Sequence, residues 1–156
     1  MSELSGIFET YEPYLSNLAS VIRKELPEVK LYFHQTWAYE IDSQHGGFKN
    51  YYNSQLLMYE KIIKASNEAS MLIDAKLIPT GKVIQTLRDT IPEFDYKNGG
   101  LSLCRDGFHL SLDYGRFAAA AIWLRILTGI EIKIIDFEGF DIKHLNKILN
   151  VVCQFN

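Results

Sequence analysis

Three of the four histidines in the chain follow an aspartate by three positions. A histidine titrates near neutral pH and can take a proton from a hydroxyl, while a neighbouring carboxylate orients the ring and stabilises the imidazolium. The common spacing cannot choose among the three pairs, so the choice depends on the elements that carry them. The pairs are Asp42/His45, Asp106/His109 and Asp141/His144.

Two of these pairs have ordinary structural explanations. Asp141 precedes an amphipathic run, so it is predicted to be a helix N-cap with His144 in the first turn. Asp42 and His45 lie in a polar loop that ends in two glycines, which is typical of a solvated turn.

The third pair lies just before a helix. Ser111 can cap that helix, Asp113 lies in its first turn, and Gly129 ends it. Asp106 and His109 are therefore predicted to lie on a loop that is held in place by the apolar helix after it. Loops supported in this way commonly carry catalytic groups. The stripe expected to bury this helix consists of Phe117, Ala121, Leu124 and Leu127.

A helix over roughly residues 11–26 and a strand over residues 29–33 lead into a second polar and aromatic segment. Ligands of open α/β sheets bind outside the carboxyl ends of the strands, so His34, Trp37 and Tyr39 are candidate binding residues. Trp37 and Tyr39 can stack on a sugar or an aryl group, or serve as core aromatics. His34 can line the pocket or simply satisfy a backbone carbonyl. His45 joins them as a candidate binding residue.

The remaining pattern predicts an α/β fold with few strands. Helices are expected over residues 51–70, after Gly81 and over residues 141–154, with a second strand near residues 76–79. A long structureless loop is expected over residues 91–105, and an edge strand or extended tail over residues 130–137. Arg88 and Gln85 can reach the site, but a solvated helix face suits them better. The chain is interpreted as one domain over residues 1–156, with residues 130–156 as a C-terminal extension and helix.

The segment Asp-Gly-Phe-His-Leu-Ser at residues 106–111, followed by a glycine and an alanine-rich helix, resembles the last conserved block of the SGNH (GDSL-type) hydrolases. More closely, the chain resembles a bacterial domain-of-unknown-function family within that superfamily, over roughly residues 5–130. The resemblance implies a three-layer α/β/α flavodoxin-like fold, with His109 as general base and Asp106 as its orienting partner in a Ser-His-Asp triad. The other segments that carry it are residues 5–8 with Tyr11 and Tyr14, residues 34–39, the Asp42, His45, Phe48 and Tyr51 run, residues 58–59, and residues 78–81 with Gln85 and Arg88.

The serine block of that superfamily is missing here. No Gly-x-Ser follows a hydrophobic strand, so the nucleophile is expected outside this chain and the N-terminal strands of the fold are expected to be absent. Ser5 is not expected to replace the missing serine. Cys104 is a conceivable thiol nucleophile, but a small cysteine with apolar neighbours is more often a core residue.

Composition limits the classes of partner. The net charge of −3 gives no basic footprint for nucleic acid, and no run of about 18 apolar residues suggests a membrane span. No secretory signal pattern is visible, so a cytoplasmic location is expected for the sequence as given, and an exported one if a further N-terminal segment precedes it. An exposed sheet edge would allow a homo-oligomer.

Function is thus expected to be hydrolysis of a small ester or an acylated carbohydrate, with no cofactor and no metal. As given, the chain is expected to have little esterase activity because it lacks the nucleophile. The alternative is a non-catalytic remnant or carbohydrate-binding module that keeps the pocket aromatics. A metal hydrolase built from Asp42, His45, His34 and His109 is disfavoured by the absence of His-x-His or His-x-x-x-His spacing.

Overall fold

A computed structural model describes residues 3–133 and 138–155 of the chain and shows a mixed α/β structure. Short 3₁₀ turns precede the first helix and lie between later elements, at Phe8–Thr10, Gly46–Tyr51, Pro92–Phe94 and Tyr96–Asn98. The main elements are α1 (Tyr14–Glu25), β1 (Tyr32–His34), α2 (Gln55–Leu72), β2 (Lys76–Ile78), α3 (Thr80–Thr90), α4 (Tyr114–Thr128) and α5 (Ile142–Val152).

The sheet of the described residues contains β1 and β2, which pair in parallel with Phe33 opposite Leu77. Because parallel neighbours need a crossover connection, α2 joins their opposite ends. Both strands were predicted; β2 lies close to its expected bounds, whereas β1 begins three residues later than expected. Of the edge strand predicted over residues 130–137, residues 130–133 are not in a strand, and residues 134–137 lie outside the described residues.

Helices α3, α4 and α5 pack against one another and form the larger core with β2. The predicted stripe of α4 is wrong in part, because Leu124 and Leu127 are 40% and 45% exposed. Instead, small side chains such as Ala118 and Ala121 face the neighbouring helices. Small residues let helix backbones approach closely, so the alanine-rich side becomes the packing face.

Helix α1 presents apolar side chains to solvent. Tyr14, Leu18 and Val21 fall on one helical face, as their spacing predicts, but they are 75%, 58% and 59% exposed. Its buried residue is Ala19. Periodicity therefore identified the helix without identifying what the helix packs against.

The predicted helix ends are confirmed where local chemistry sets them. Asp141 is the N-cap of α5 and accepts the Lys143 N–H at 2.8 Å. Gly129 follows α4 with a φ of 71°, the left-handed conformation that suits glycine at a helix C-terminus. At the start of α4 the prediction is corrected in part: Asp113, expected in the first turn, is the N-cap, while Ser111 Oγ accepts the Gly115 N–H at 3.0 Å as a capping group does.

The loop predicted to be structureless is ordered instead. Its two 3₁₀ turns are anchored by Phe94, which is fully buried, and Leu101 N–H donates to the Glu93 carbonyl at 2.7 Å. The prediction was wrong because the buried Phe94 ring fixes a segment whose glycines and proline gave no sign of an anchor. In the described part of the chain, no helix is long and apolar enough to cross a membrane.

Candidate active site

The Asp106–His109 segment is the tip of a short hairpin-like turn. Cys104 and Leu110 form an antiparallel bridge, and Arg105 N–H donates to the His109 carbonyl at 2.9 Å. Gly107 has a φ of 83°, which bends the chain back at a conformation that other residues rarely adopt. The bend brings the aspartate and histidine side chains together.

The aspartate holds both the backbone and the imidazole of the histidine. Asp106 Oδ1 accepts the His109 N–H at 2.8 Å and the Phe108 N–H at 3.3 Å, which is the pattern of an Asx turn. Its other oxygen, Oδ2, lies 2.8 Å from His109 Nδ1. The predicted contact between the two side chains is therefore present.

The carboxylate is ionised well below neutral pH. The hydrogen bond to the His109 side chain, followed by those to the backbone, lowers the pKa of Asp106 to about 2. Arg105 Nε, 3.8 Å from Asp106 Oδ2, adds a positive charge beside the pair. A charged carboxylate beside Nδ1 favours the tautomer in which Nδ1 carries the proton and donates it to Asp106. Nε2 is then free to accept a proton.

His109 Nε2 has no hydrogen-bond partner within residues 3–133 and 138–155, and the side chain is 44% exposed. The imidazole can therefore reach a hydroxyl that approaches from solvent. Geometry of this kind is what a general base requires.

Phe108, which the sequence interpretation passed over, links the predicted site residues. Its ring lies 4.2 Å from the His109 ring and 4.7 Å from the His45 ring, centroid to centroid. It also lies 5.9 Å from the Tyr39 ring, and its carbonyl accepts the Trp37 Nε1–H at 2.8 Å. An apolar residue at the tip of a polar loop was the signal that could have identified it.

Tyr39 is corrected from a stacking platform to a core residue. Its side chain is fully buried against Phe48 and Phe108, so it has no face for a ligand. Burial, with the nearby charge of Glu3, raises the pKa of Tyr39 to about 12. Tyr39 contributes to the site by packing its ring against Phe108.

His45 and Trp37 lie beside the turn as parts of its support. His45 Nδ1 accepts the Gly47 N–H at 3.0 Å, and so caps the 3₁₀ turn that follows. Trp37 is half-buried, and its indole nitrogen is already used on the Phe108 carbonyl. Part of the Trp37 surface is left for a ligand.

His34 stands apart from the pair, at the end of β1. Its ring packs 5.1 Å from Trp123 and 6.3 Å from Trp37, and burial lowers its pKa below the usual range. His34 therefore reaches the turn through Trp37, and no direct contact with Asp106 or His109 is present among the described residues.

The prediction that Cys104 is a core residue is confirmed. Its thiol is buried, and burial raises its pKa to about 12, so it stays protonated and unreactive at neutral pH. Over residues 3–133 and 138–155, no three His, Cys, Asp or Glu side chains are grouped to hold a metal ion.

The structure corrects the interpretation of Arg88 and Gln85 as a solvated face. Both are buried, and Arg88 Nη2 lies 3.3 Å from Glu40 Oε2 in an ion pair that sequence reasoning missed. Arg88 follows Ile84 by four positions on α3, so its place on the apolar face was the available signal.

Comparison with known proteins identifies the family of this chain. A family model described as domain of unknown function (DUF4886) matches residues 1–147. The chain belongs to this family. A crystal structure of a DUF4886 family protein from Bacteroides uniformis is similar, with 35% sequence identity and a TM-score of 0.86. The match covers 97% of this chain and 57% of that one, so the chain spans just over half the length of its solved relative. No curated protein matches the chain.

Proposed function

We propose that this DUF4886 chain carries the acid–base part of an ester hydrolase of the SGNH type. In this proposal His109 is the general base and Asp106 holds its imidazole. The observation that carries it is the 2.8 Å contact between His109 Nδ1 and Asp106 Oδ2 on a ring whose Nε2 has no protein partner among the described residues. The resemblance of residues 106–111 to the last SGNH block supports the same assignment.

The chemistry follows from that geometry. His109 Nε2 takes the proton of a nucleophilic hydroxyl as its oxygen bonds to the ester carbonyl carbon. The Asp106 carboxylate stabilises the resulting imidazolium without itself becoming protonated. The imidazolium then returns the proton to the departing alcohol, and a water activated by the same nitrogen cleaves the acyl-enzyme.

The proposal assigns the hydroxyl nucleophile to a part of the protein outside the described residues. Cys104 is buried and protonated, and no serine hydroxyl within residues 3–133 and 138–155 bonds to His109 Nε2. The solved relative contains further sequence beyond the aligned part, which gives a source for such a group in the family. The proposal includes the three-layer flavodoxin-like fold, which the parallel β1–β2 pair and its α2 crossover support.

A small ester with a polar alcohol, such as an acylated carbohydrate, is the proposed substrate class. A cleft beside Asp106 is lined by side chains that donate or accept hydrogen bonds, including Asp42, Tyr96, Ser102 and Arg105. Hydroxyl groups of a sugar satisfy such a surface better than a long acyl or alkyl chain does.

The test is turnover of p-nitrophenyl acetate by the full-length protein. Replacement His109→Ala is expected to lower kcat by roughly 10⁴- to 10⁶-fold, the range seen when a triad member is removed. The matched control is His144→Gln, which alters the Asp-x-x-His pair that lies on α5, and it should leave kcat within about threefold of the wild type. Thermal melts recorded by circular dichroism verify that both variants fold.

Equal turnover by the wild type and the His109→Ala variant would overturn the proposal. So would a wild-type protein that neither hydrolyses aryl esters nor reacts with a fluorophosphonate probe. The second result, combined with sugar binding, would establish the carbohydrate-binding alternative, which is favoured by the lack of a hydroxyl bonded to His109 Nε2 among the described residues.

A further inference from the structure

A buried ion pair lies beneath the Asp106–His109 turn. Glu40 and Arg88 are 2% and 6% exposed, and the Arg88 Nη2 to Glu40 Oε2 distance is 3.3 Å. Buried charges are costly to desolvate, and a buried pair is often no more stabilising than apolar residues of the same size. Stability alone therefore does not explain why two charges occupy this position.

Each partner is bonded to a segment that builds the site. Arg88 Nη1 donates to the Ala38 carbonyl at 3.0 Å, and Nη2 lies 3.3 Å from Cys104 Sγ. Ala38 belongs to the segment that carries Trp37, and Cys104 is in the stem of the turn. One guanidinium thus spans the two segments, and its planar donors fix their relative position.

The Glu40 side chain also connects its own segment to the stem of the turn, through Ser102. Its Oε2 accepts the Ser102 hydroxyl at 2.8 Å, and Ser102 Oγ in turn accepts the Cys104 N–H at 3.0 Å. Its Oε1 accepts Gln55 Nε2 at 2.9 Å. Three donors, from α2, from α3 and from the segment that leads into the turn, therefore hold the Glu40 carboxylate.

The backbone of the same glutamate contacts the turn itself. Glu40 N–H donates to the Gly107 carbonyl at 2.7 Å, next to the Trp37 bond to the Phe108 carbonyl. Two consecutive carbonyls between Asp106 and His109 are thus held by the segment that the ion pair fixes. A shift of Glu40 moves the backbone that sets the imidazole.

We infer that Glu40 and Arg88 are positioning residues for the Asp106–His109 pair. They act through the Trp37–Glu40 segment and the stem of the turn, and they touch neither the imidazole nor a substrate. The inference rests on the proposed function for its catalytic meaning, whereas the positioning itself is measurable without substrate.

The test is the double replacement Glu40→Leu/Arg88→Met, which fills the same space without charges and is expected to fold. NMR of the Asp106 carboxyl carbon and of the His109 ring nitrogens reports the pair directly. In the double variant the pKa of Asp106 should rise from about 2 by roughly one pH unit as the imidazole bond loosens. The Nδ1-protonated signal of His109 should weaken at the same time.

A control separates positioning from general destabilisation. Leu145→Ala removes a fully buried side chain from α5, which belongs to neither of the two segments, and should lower stability while leaving the Asp106 titration unchanged. A folded double variant with the wild-type Asp106 titration and His109 spectrum would overturn the inference. If the double variant does not fold, Ser102→Ala removes one Glu40 bond, and it must shift Asp106 in the same direction by a smaller amount. No shift in Ser102→Ala would then overturn it.

Kinetics of the full-length protein distinguish this inference from the function on which it rests. Misplacing a catalytic group by about 1 Å costs on the order of 10²-fold, so the double variant should lose about that factor in kcat, with KM within about threefold. A wild type without esterase activity would refute the proposed function, while the NMR comparison would still decide the positioning.

Discussion

The same Asp-x-x-His spacing gives two different structures in this molecule. At Asp141 and His144 the chain enters α5, so the aspartate caps the helix through the Lys143 N–H and the histidine ring packs against Phe94 and Tyr114. At Asp106 and His109 the carboxylate instead bonds to the imidazole at 2.8 Å. Spacing alone therefore does not bring the carboxylate onto the imidazole.

The residue after the aspartate accounts for the difference. Gly107 has a φ of 83° and turns the chain back on itself. Ile142 instead begins α5, and the helix separates the two residues along its axis by about 1.5 Å per residue. Asp42 and His45 add a third outcome, because Asp42 Oδ2 accepts the Tyr96 hydroxyl at 2.8 Å. A pair forms when the backbone between the two side chains folds back and nearby contacts hold it there.

The largest expected contrast is between two matched amide replacements. In the full-length protein, Asp106→Asn should lower kcat for p-nitrophenyl acetate by roughly 10⁴-fold, because the amide no longer holds the productive imidazole tautomer. Asp141→Asn keeps a good N-cap and should change kcat by less than about twofold. Steady-state kinetics on both variants measure this, and equal losses would show that the two pairs do not differ in function.

A smaller contrast concerns two glycines with positive φ. Gly107→Ala places a Cβ 3.0 Å from Ser43 Cα at a φ of 83°, so we expect a loss of about 1–3 kcal/mol in the free energy of unfolding. Gly129→Ala has a φ of 71° but no atom within 4 Å of the added carbon, so a loss near 1 kcal/mol is expected. Urea unfolding measures both, and equal losses would remove the contribution assigned to Ser43.

The smallest effect is in the acid titration of the turn. The pKa of Asp106 is lowered to about 2, so the stabilisation that its charge provides is present above the ordinary carboxyl range and is lost as pH falls through about 2. His109→Ala removes the first cause of that shift, and the pKa of Asp106 should rise toward 3.8. Carbon NMR of the Asp106 carboxyl group measures the titration, and an unchanged pKa would assign the shift to the backbone bonds instead.

Local chemistry was readable from the sequence wherever one short segment decides the outcome. The Asp141 cap, the Gly129 terminus and the two short strands each depend on residues within a few positions. The burial of Cys104 also followed from residue type, because free cysteine is among the most often buried residues.

Contacts between distant segments were decided by tertiary structure. Arg88 is 48 positions from Glu40 and 50 from Ala38, and no pattern around any of them reveals those bonds. Tyr39 is buried because Phe48 and Phe108 cover it, and the apolar face of α1 is exposed because it meets no partner within the described residues. The sequence determined that an aspartate, a bend and a histidine occur together. Tertiary structure decided which contacts hold that bend, because the Glu40 N–H and the Trp37 indole, both distant in sequence, bond to the Gly107 and Phe108 carbonyls.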